Sequence, residues 1–134
     1  MSSDHLDIVR KIVLKHFQDE PLKIERMTIG LCNEVYKVIV GDKTVIVTMN
    51  KDEFELLGSD KHLPLFASLG IKVPVILVSD YAKTFFPFAY QIHEFLPGKD
   101  IGQVIETLTD EELKEIAKEI VKILRKLEKL PTNG

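Results

Sequence analysis

Phe88-Ala-Tyr-Gln-Ile-His-Glu-Phe-Leu-Pro-Gly98 is the stretch on which the reading of this chain turns. Residues 88–95 are an apolar and aromatic run with the length and composition of a buried strand. Pro97-Gly98 then punctuates the chain. Upstream the patterns are those of strands with covering helices, and downstream they are helical. A strand that leaves a sheet and runs straight into a connector is where a hinge between two lobes belongs.

Working back from that strand, Ser79 to Pro87 is an aromatic-rich loop. Val73-Pro-Val-Ile-Leu-Val78 reads as a fourth strand, with Pro74 at its start where no ladder donor is lost. Residues 22–49 carry the pattern of a three-stranded antiparallel meander. Leu22, Ile24 and Met27–Ile29 form its first strand, which ends at Gly30. Glu34–Val40 and Lys43–Met49 form the second and third, joined by Gly41-Asp42 with the glycine at positive φ. Before the meander, residues 4–18 predict an amphipathic helix capped by Asp4, with Leu6, Val9, Ile12, Val13 and Phe17 inward.

The segment between the third and fourth strands predicts two short helical pieces. The first, over 51–57 with Phe54, Leu56 and Leu57, stops at Gly58. The second is capped by Ser59 or Asp60 and starts near Lys61, because Pro64 is comfortable only in a first turn. It runs to Leu69 with Leu63, Phe66 and Leu69 inward, and Gly70 terminates it.

Forward from Gly98, a short helix is expected over 101–107. Thr109-Asp-Glu-Glu112 is then a capping box opening a long helix that ends before Pro131. Its apolar positions are Leu113, Ile116, Ala117, Ile120, Val121, Ile123, Leu124 and Leu127. That stripe is too wide for one packing partner and wants cover on more than one side. It predicts an incomplete domain, and self-association or a missing lobe across the helix over 110–130.

Composition narrows the function classes. The chain has 134 residues, 45% apolar and 29% charged, as expected of one globular unit. A net charge of −3 supplies no basic field for nucleic acid or an anionic membrane. Cys32 stands alone, and the four histidines show no metal-ligand spacing. A reducing, cytoplasmic setting is the expectation. Met-Ser-Ser-Asp-His lacks the features of a signal peptide, and no apolar run approaches the roughly 20 residues that cross a bilayer.

The order of these elements resembles the small lobe of a protein-kinase-like fold: a five-stranded antiparallel sheet with flanking helices (class α+β), then a hinge and C-terminal helices. Three motifs are similar to those of aminoglycoside phosphotransferases and their choline-kinase-like relatives. They are Ile29-Gly-Leu-Cys-Asn-Glu-Val-Tyr36, Leu69-Gly-Ile-Lys-Val-Pro74-Val-Ile-Leu, and Ile92-His-Glu-Phe-Leu-Pro-Gly98. The last helix, ending Leu124-Arg-Lys-Leu127, is similar to one of that family's helices as well. The resemblance implies a nucleotide-binding small lobe over residues 1–96, with residues 97–134 as the hinge exit and first helices of a truncated helical lobe.

What the resemblance implies can be placed residue by residue. The loop with Gly30 and Asn33 would cover the phosphates of ATP or GTP, with Mg²⁺ present in the complete enzyme. Val35 and Ile46 would roof the purine, Glu94 and Leu96 would offer backbone groups to its edge from the hinge that includes Phe95, and His93 would set the pocket depth. The chain departs from the family at Thr48, where kinase-like lobes carry a Lys or Arg that grips phosphates and pairs with a helix acid. Lys51 is a possible substitute, and Glu53, Glu55 and Asp60 are the candidate acids.

No His-x-Asp catalytic loop follows Gly98, so the residues given are not competent for phosphoryl transfer by themselves. One reading is therefore the nucleotide lobe of a phosphotransferase acting on an aminoglycoside-like, sugar or choline-like hydroxyl. The alternative is a non-catalytic kinase-like module that works by protein–protein association. A third is an unrelated α+β domain whose strands imitate the lobe.

Overall fold

The computed structural model describes residues 5–27, 33–97 and 104–130. Buried and part-exposed side chains alternate along Tyr36–Val40 and Thr44–Val47, with Thr48 and Met49 buried as well, and these two runs build its centre. Strands β1 (Lys23–Arg26), β2 (Glu34–Val40), β3 (Lys43–Asn50), β4 (Ile76–Asp80) and β5 (Ala89–Glu94) form one antiparallel sheet in the order β1-β2-β3-β5-β4. This is the five-stranded α+β sheet with flanking helices that the sequence predicts. Gly41 sits at φ 59° in the β2–β3 turn, the left-handed position expected of it.

One face of the sheet carries the core. Tyr36, Val38, Val45, Val47, Met49, Tyr90 and Ile92 meet Val9, Ile12 and Val13 of helix α1 (Leu6–Phe17), all fully or almost fully buried. Each such side chain contributes about 1.5–3 kcal/mol from burial. Two tyrosine hydroxyls pin the ends of α1. The backbone N–H of His5 donates to Tyr36 Oη at 3.0 Å, while His16 Nε2 lies 2.7 Å from Tyr90 Oη. The N-cap is His5, whose ring bonds Glu34 Oε1 at 2.8 Å, and Asp4 lies outside the described residues. Leu6, expected inward, is 44% exposed because the helix turns it away from the sheet.

Helix α2 (Phe54–Ser68) is a single helix that runs through Gly58 and carries Pro64 inside it. The predicted stop at Gly58 and start near Lys61 are therefore wrong. Glycine costs a helix only about 1 kcal/mol, and tertiary anchoring outweighs that here. Leu56, in the first turn, is buried, and its carbonyl accepts from Gln91 Nε2 at 2.9 Å. Leu63, Phe66 and Leu69 are the more covered positions of the second half, as predicted. The end at Gly70 (φ 80°) is a full Schellman motif, with Ile71 N–H to Phe66 O and Gly70 N–H to Ala67 O. Strand β4 starts at Ile76, three residues later than predicted, and a bulge interrupts its pairing with β5 between Ile76 and Val78.

The described part of the segment after Gly98 holds a 3₁₀ turn (Ile105–Thr107) and helix α3 (Asp110–Leu127). Thr109 and Glu112 form the predicted capping box: Glu112 N–H donates to Thr109 Oγ1 at 3.1 Å and Thr109 N–H to Glu112 Oε1 at 3.0 Å. None of the α3 side chains is buried. The chain divides into two compact units, Met1–Leu63 with Pro74–Phe95, and Pro64–Val73 with Leu96–Gly134. Within the second, Lys126 Nζ donates to Gly70 O at 3.3 Å. Among the described residues no helix is long and apolar enough to cross a membrane.

Candidate functional site

Strand register decides which side chains share a face. In an antiparallel pair, directly opposed residues project to the same side. Val35 opposes Thr48, and Thr48 opposes Gln91; Lys37 opposes Ile46, and Ile46 opposes His93. Val35, Ile46, Thr48 and His93 therefore lie together on the face turned away from α1, in two adjacent cross-strand rows with Gln91 and Lys37. Four of the nine residues singled out in the sequence are thus brought onto one surface of the first unit.

The polar centre of that surface is the diagonal pair Thr48 and His93, with Oγ1 3.4 Å from Nε2. Thr48 is buried, and burial holds the His93 imidazole below the ordinary histidine range. At neutral pH the ring is uncharged, so the pair offers hydrogen-bonding groups and no net charge. Among the described residues no cluster of His, Cys, Asp and Glu is arranged to hold a metal ion.

The remaining candidates divide by position. Gly30 lies outside the described residues. Asn33 Oδ1 accepts from Asn50 Nδ2 at 2.8 Å, tying the start of β2 to the end of β3. Glu94 opposes Val45, so its side chain projects toward the α1 side, and its N–H donates to Val75 O at 3.0 Å. Phe95 N–H donates to Thr44 O at 3.4 Å, and its ring lies 4.4 Å beneath Lys37 Nζ. Leu96 belongs to the second unit.

Lys51, the suggested substitute for a cation at Thr48, follows the end of β3. It lines a cavity of about 220 Å³ with Glu34, Met49, Asn50 and Phe88, and Met49 and Phe88 are core residues of the α1 side. Two of the three candidate acids have partners of their own. Glu53 pairs with Lys83 at 3.0 Å, and its carboxyl is held low by that contact. Asp60 accepts from Ser79 Oγ at 2.7 Å through one oxygen and from the Tyr81 hydroxyl through the other. The side chain of Glu55 lies outside the described set.

Sequence reasoning missed Gln91. Its buried amide donates to Leu56 O and, at 2.7 Å, to Tyr81 Oη, which donates in turn to Asp60. This neutral-donor chain fastens α2 to β5 directly behind Thr48. The signal was a lone amide inside the apolar run Phe88–Phe95, two residues from His93 and so on its face. Lys37 was missed for the same reason: it is an apparently solvated cation whose register places it beside Ile46.

Comparison with known proteins agrees with this fold. The profile of the phosphotransferase enzyme family matches residues 23–134. No curated protein gives a significant match. Among solved structures, the chain is similar to a thermostable mutant of the aminoglycoside phosphotransferase APH(4)-Ia, in ternary complex with AMP-PNP and hygromycin B. The TM-score is 0.64 at 16% identity, over 88% of this chain and 38% of that one. A proposed fructosamine-3-kinase from Haemophilus somnus 129PT aligns with TM-score 0.53 at 18% identity, over 69% and 32%. A proposed aminoglycoside phosphotransferase from Ralstonia eutropha JMP134 gives 0.50 at 14% identity, over 70% and 28%. The chain thus spans about a third of the length of these structures, and the likeness is one of fold. With a family match over most of its length and a kinase-like sheet beneath it, this chain belongs to the phosphotransferase enzyme family.

Proposed function

We propose that this chain is the nucleotide-binding small lobe of a small-molecule phosphotransferase. In this reading residues 1–96 take ATP or GTP on the face of Val35, Ile46, Thr48 and His93, and residues 97–134 lead into a helical lobe. Phosphoryl transfer to a hydroxyl of an aminoglycoside-like, sugar or choline-like acceptor then requires an Asp base, an Asn and an acid for Mg²⁺ from that second lobe. A cytoplasmic setting, where nucleotide is plentiful, suits the single cysteine.

The observation that carries the reading is the register that sets Val35 and Ile46 beside the Thr48–His93 pair. Two apolar side chains with two polar groups close by are the ingredients of a site for a flat, heteroatom-edged ring. Calorimetric titration with ATP and GTP, with and without Mg²⁺, tests it. Saturable binding that His93→Ala weakens or redirects between purines is expected; absence of heat from both nucleotides at millimolar concentration sinks the reading.

A second reading, a non-catalytic module that associates with another chain or with itself, is favoured by α3. Ile120, Val121 and Leu124 of that helix are each about half exposed, as is unusual for a continuous apolar stripe. Light scattering across a concentration series checks the self-association half of it: growth in mass that Ile120→Glu abolishes supports it, and a constant monomer mass removes it.

A further inference from the structure

Lys37 places a full positive charge on the face that carries Val35, Ile46, Thr48 and His93. It opposes Ile46, and Ile46 opposes His93, so the three form one cross-strand row. On its other side Lys37 stands directly opposite Glu25 of β1. The ammonium nevertheless lies over the Phe95 ring, with Nζ 4.4 Å from the centroid. Phe95 follows β5, and its N–H bonds Thr44 O of β3. The lysine side chain therefore reaches inward across β3, away from Glu25 on the edge strand. The ring attracts the ammonium without neutralising it, so the N–H groups turned off the ring remain able to donate.

A flat ring resting on Ile46 has Lys37 along one edge and His93 along the other. The neighbouring polar groups differ in chemical sense. A neutral imidazole donates from one nitrogen and accepts at the other, and the Thr48 hydroxyl does both. Neither discriminates between an amino and a carbonyl group. Lysine only donates. Guanine presents O6 and N7 as adjacent acceptors, whereas adenine sets an amino donor beside N7. We propose, on the nucleotide-binding reading above, that Lys37 makes this face select a 6-oxopurine nucleotide over a 6-aminopurine one. The ammonium donates to O6 and N7 of the former and meets the amino hydrogens of the latter. Glu25, the carboxylate that would favour an amino group, stands beyond Lys37 on the edge strand.

The test titrates the full chain calorimetrically with adenosine, inosine and guanosine, and with ATP, ITP and GTP, without Mg²⁺. Inosine carries the 6-oxo group but lacks the 2-amino group of guanosine, so it isolates the 6-position. Inosine and guanosine are expected to bind about tenfold more tightly than adenosine, and the triphosphates to follow the same order. Lys37→Met, checked for folding by circular dichroism, keeps the length and removes the donors, and is expected to bring inosine and adenosine within about threefold of each other. Lys37→Arg, which donates to the same pair of acceptors, is expected to keep the preference. Equal affinities or a preference for adenosine in the unaltered chain overturns the proposal and leaves the nucleotide reading intact. A preference that Lys37→Met leaves unchanged does the same. So does a Lys37→Met loss confined to the triphosphates, since Lys37 then serves the phosphates. Binding of none of these compounds overturns both.

Discussion

Gln91 Nε2 and the carbonyl oxygen of Leu56 meet at 2.9 Å with both residues almost wholly buried. The contact joins the middle of β5 to the first turn of α2, and the second amide hydrogen goes to Tyr81 Oη. Gln91→Leu keeps the volume and removes both donors, leaving the Tyr81 oxygen without its donor and Leu56 O with one partner fewer. The expected loss is about 1–3 kcal/mol in urea unfolding. A loss within error would show that α2 is held by packing alone.

The docking of α1 rests on three side chains, so the helix face can be tested by contrast. Ile12→Ala is expected to cost about 2–5 kcal/mol, because Ile12 has no exposure and lies against the sheet core. Leu6→Ala, at an exposed position near the start of the same helix, is expected to cost less than about 0.5 kcal/mol. Equal losses for the two would contradict the observed face.

Stability should fall with acid in a window set by two histidines. His16 and His93 both titrate below their ordinary value of 6.5, through burial first and, for His16, the neighbouring Lys15 charge. Between those lowered values and 6.5 the unfolded chain binds more protons than the folded one. The stabilisation is therefore complete above 6.5 and is lost as pH falls toward the folded-state values. Urea midpoints at about pH 7.5 and about pH 5.5 measure it, and His93→Gln should shrink the difference. A midpoint that rises on acidification would contradict the assignment.

At the head of α3, Thr109→Ala removes one half of the capping box. The expected cost is about 1 kcal/mol, read as faster amide exchange in the first turn of the helix. Glu112 is held below the usual carboxylate range by its bonds to Thr109, so it stays ionised and keeps its favourable place at the helix N-terminus. Exchange rates unchanged by the substitution would show that the box contributes nothing to the helix.

Some features were legible because a few neighbouring residues decide them. The Gly41 turn, the meander of β2 and β3, the Gly70 stop and the Thr109 box each depend on local backbone geometry, and each stands where the residues predicted. The family motifs extended that reading to the sheet as a whole. Alternation along β3 puts Ile46 and Thr48 on one face, since a period of two leaves no other choice, whereas the register of β5 against β3 is what adds His93 to it.

What the sequence by itself determined is the set of elements, their order and the period of each. Only the tertiary structure decided that α2 runs unbroken through Gly58 and Pro64, that β5 lies between β3 and β4, and that Asp60 is satisfied by Ser79 and Tyr81. Each of these turns on contacts between residues far apart in the chain, such as Gln91 with Leu56. Local propensities differ by about 1 kcal/mol or less, and a buried hydrogen bond with its packing can outweigh them. Neighbouring residues cannot report such a contact, because its partner is supplied only when the chain has folded.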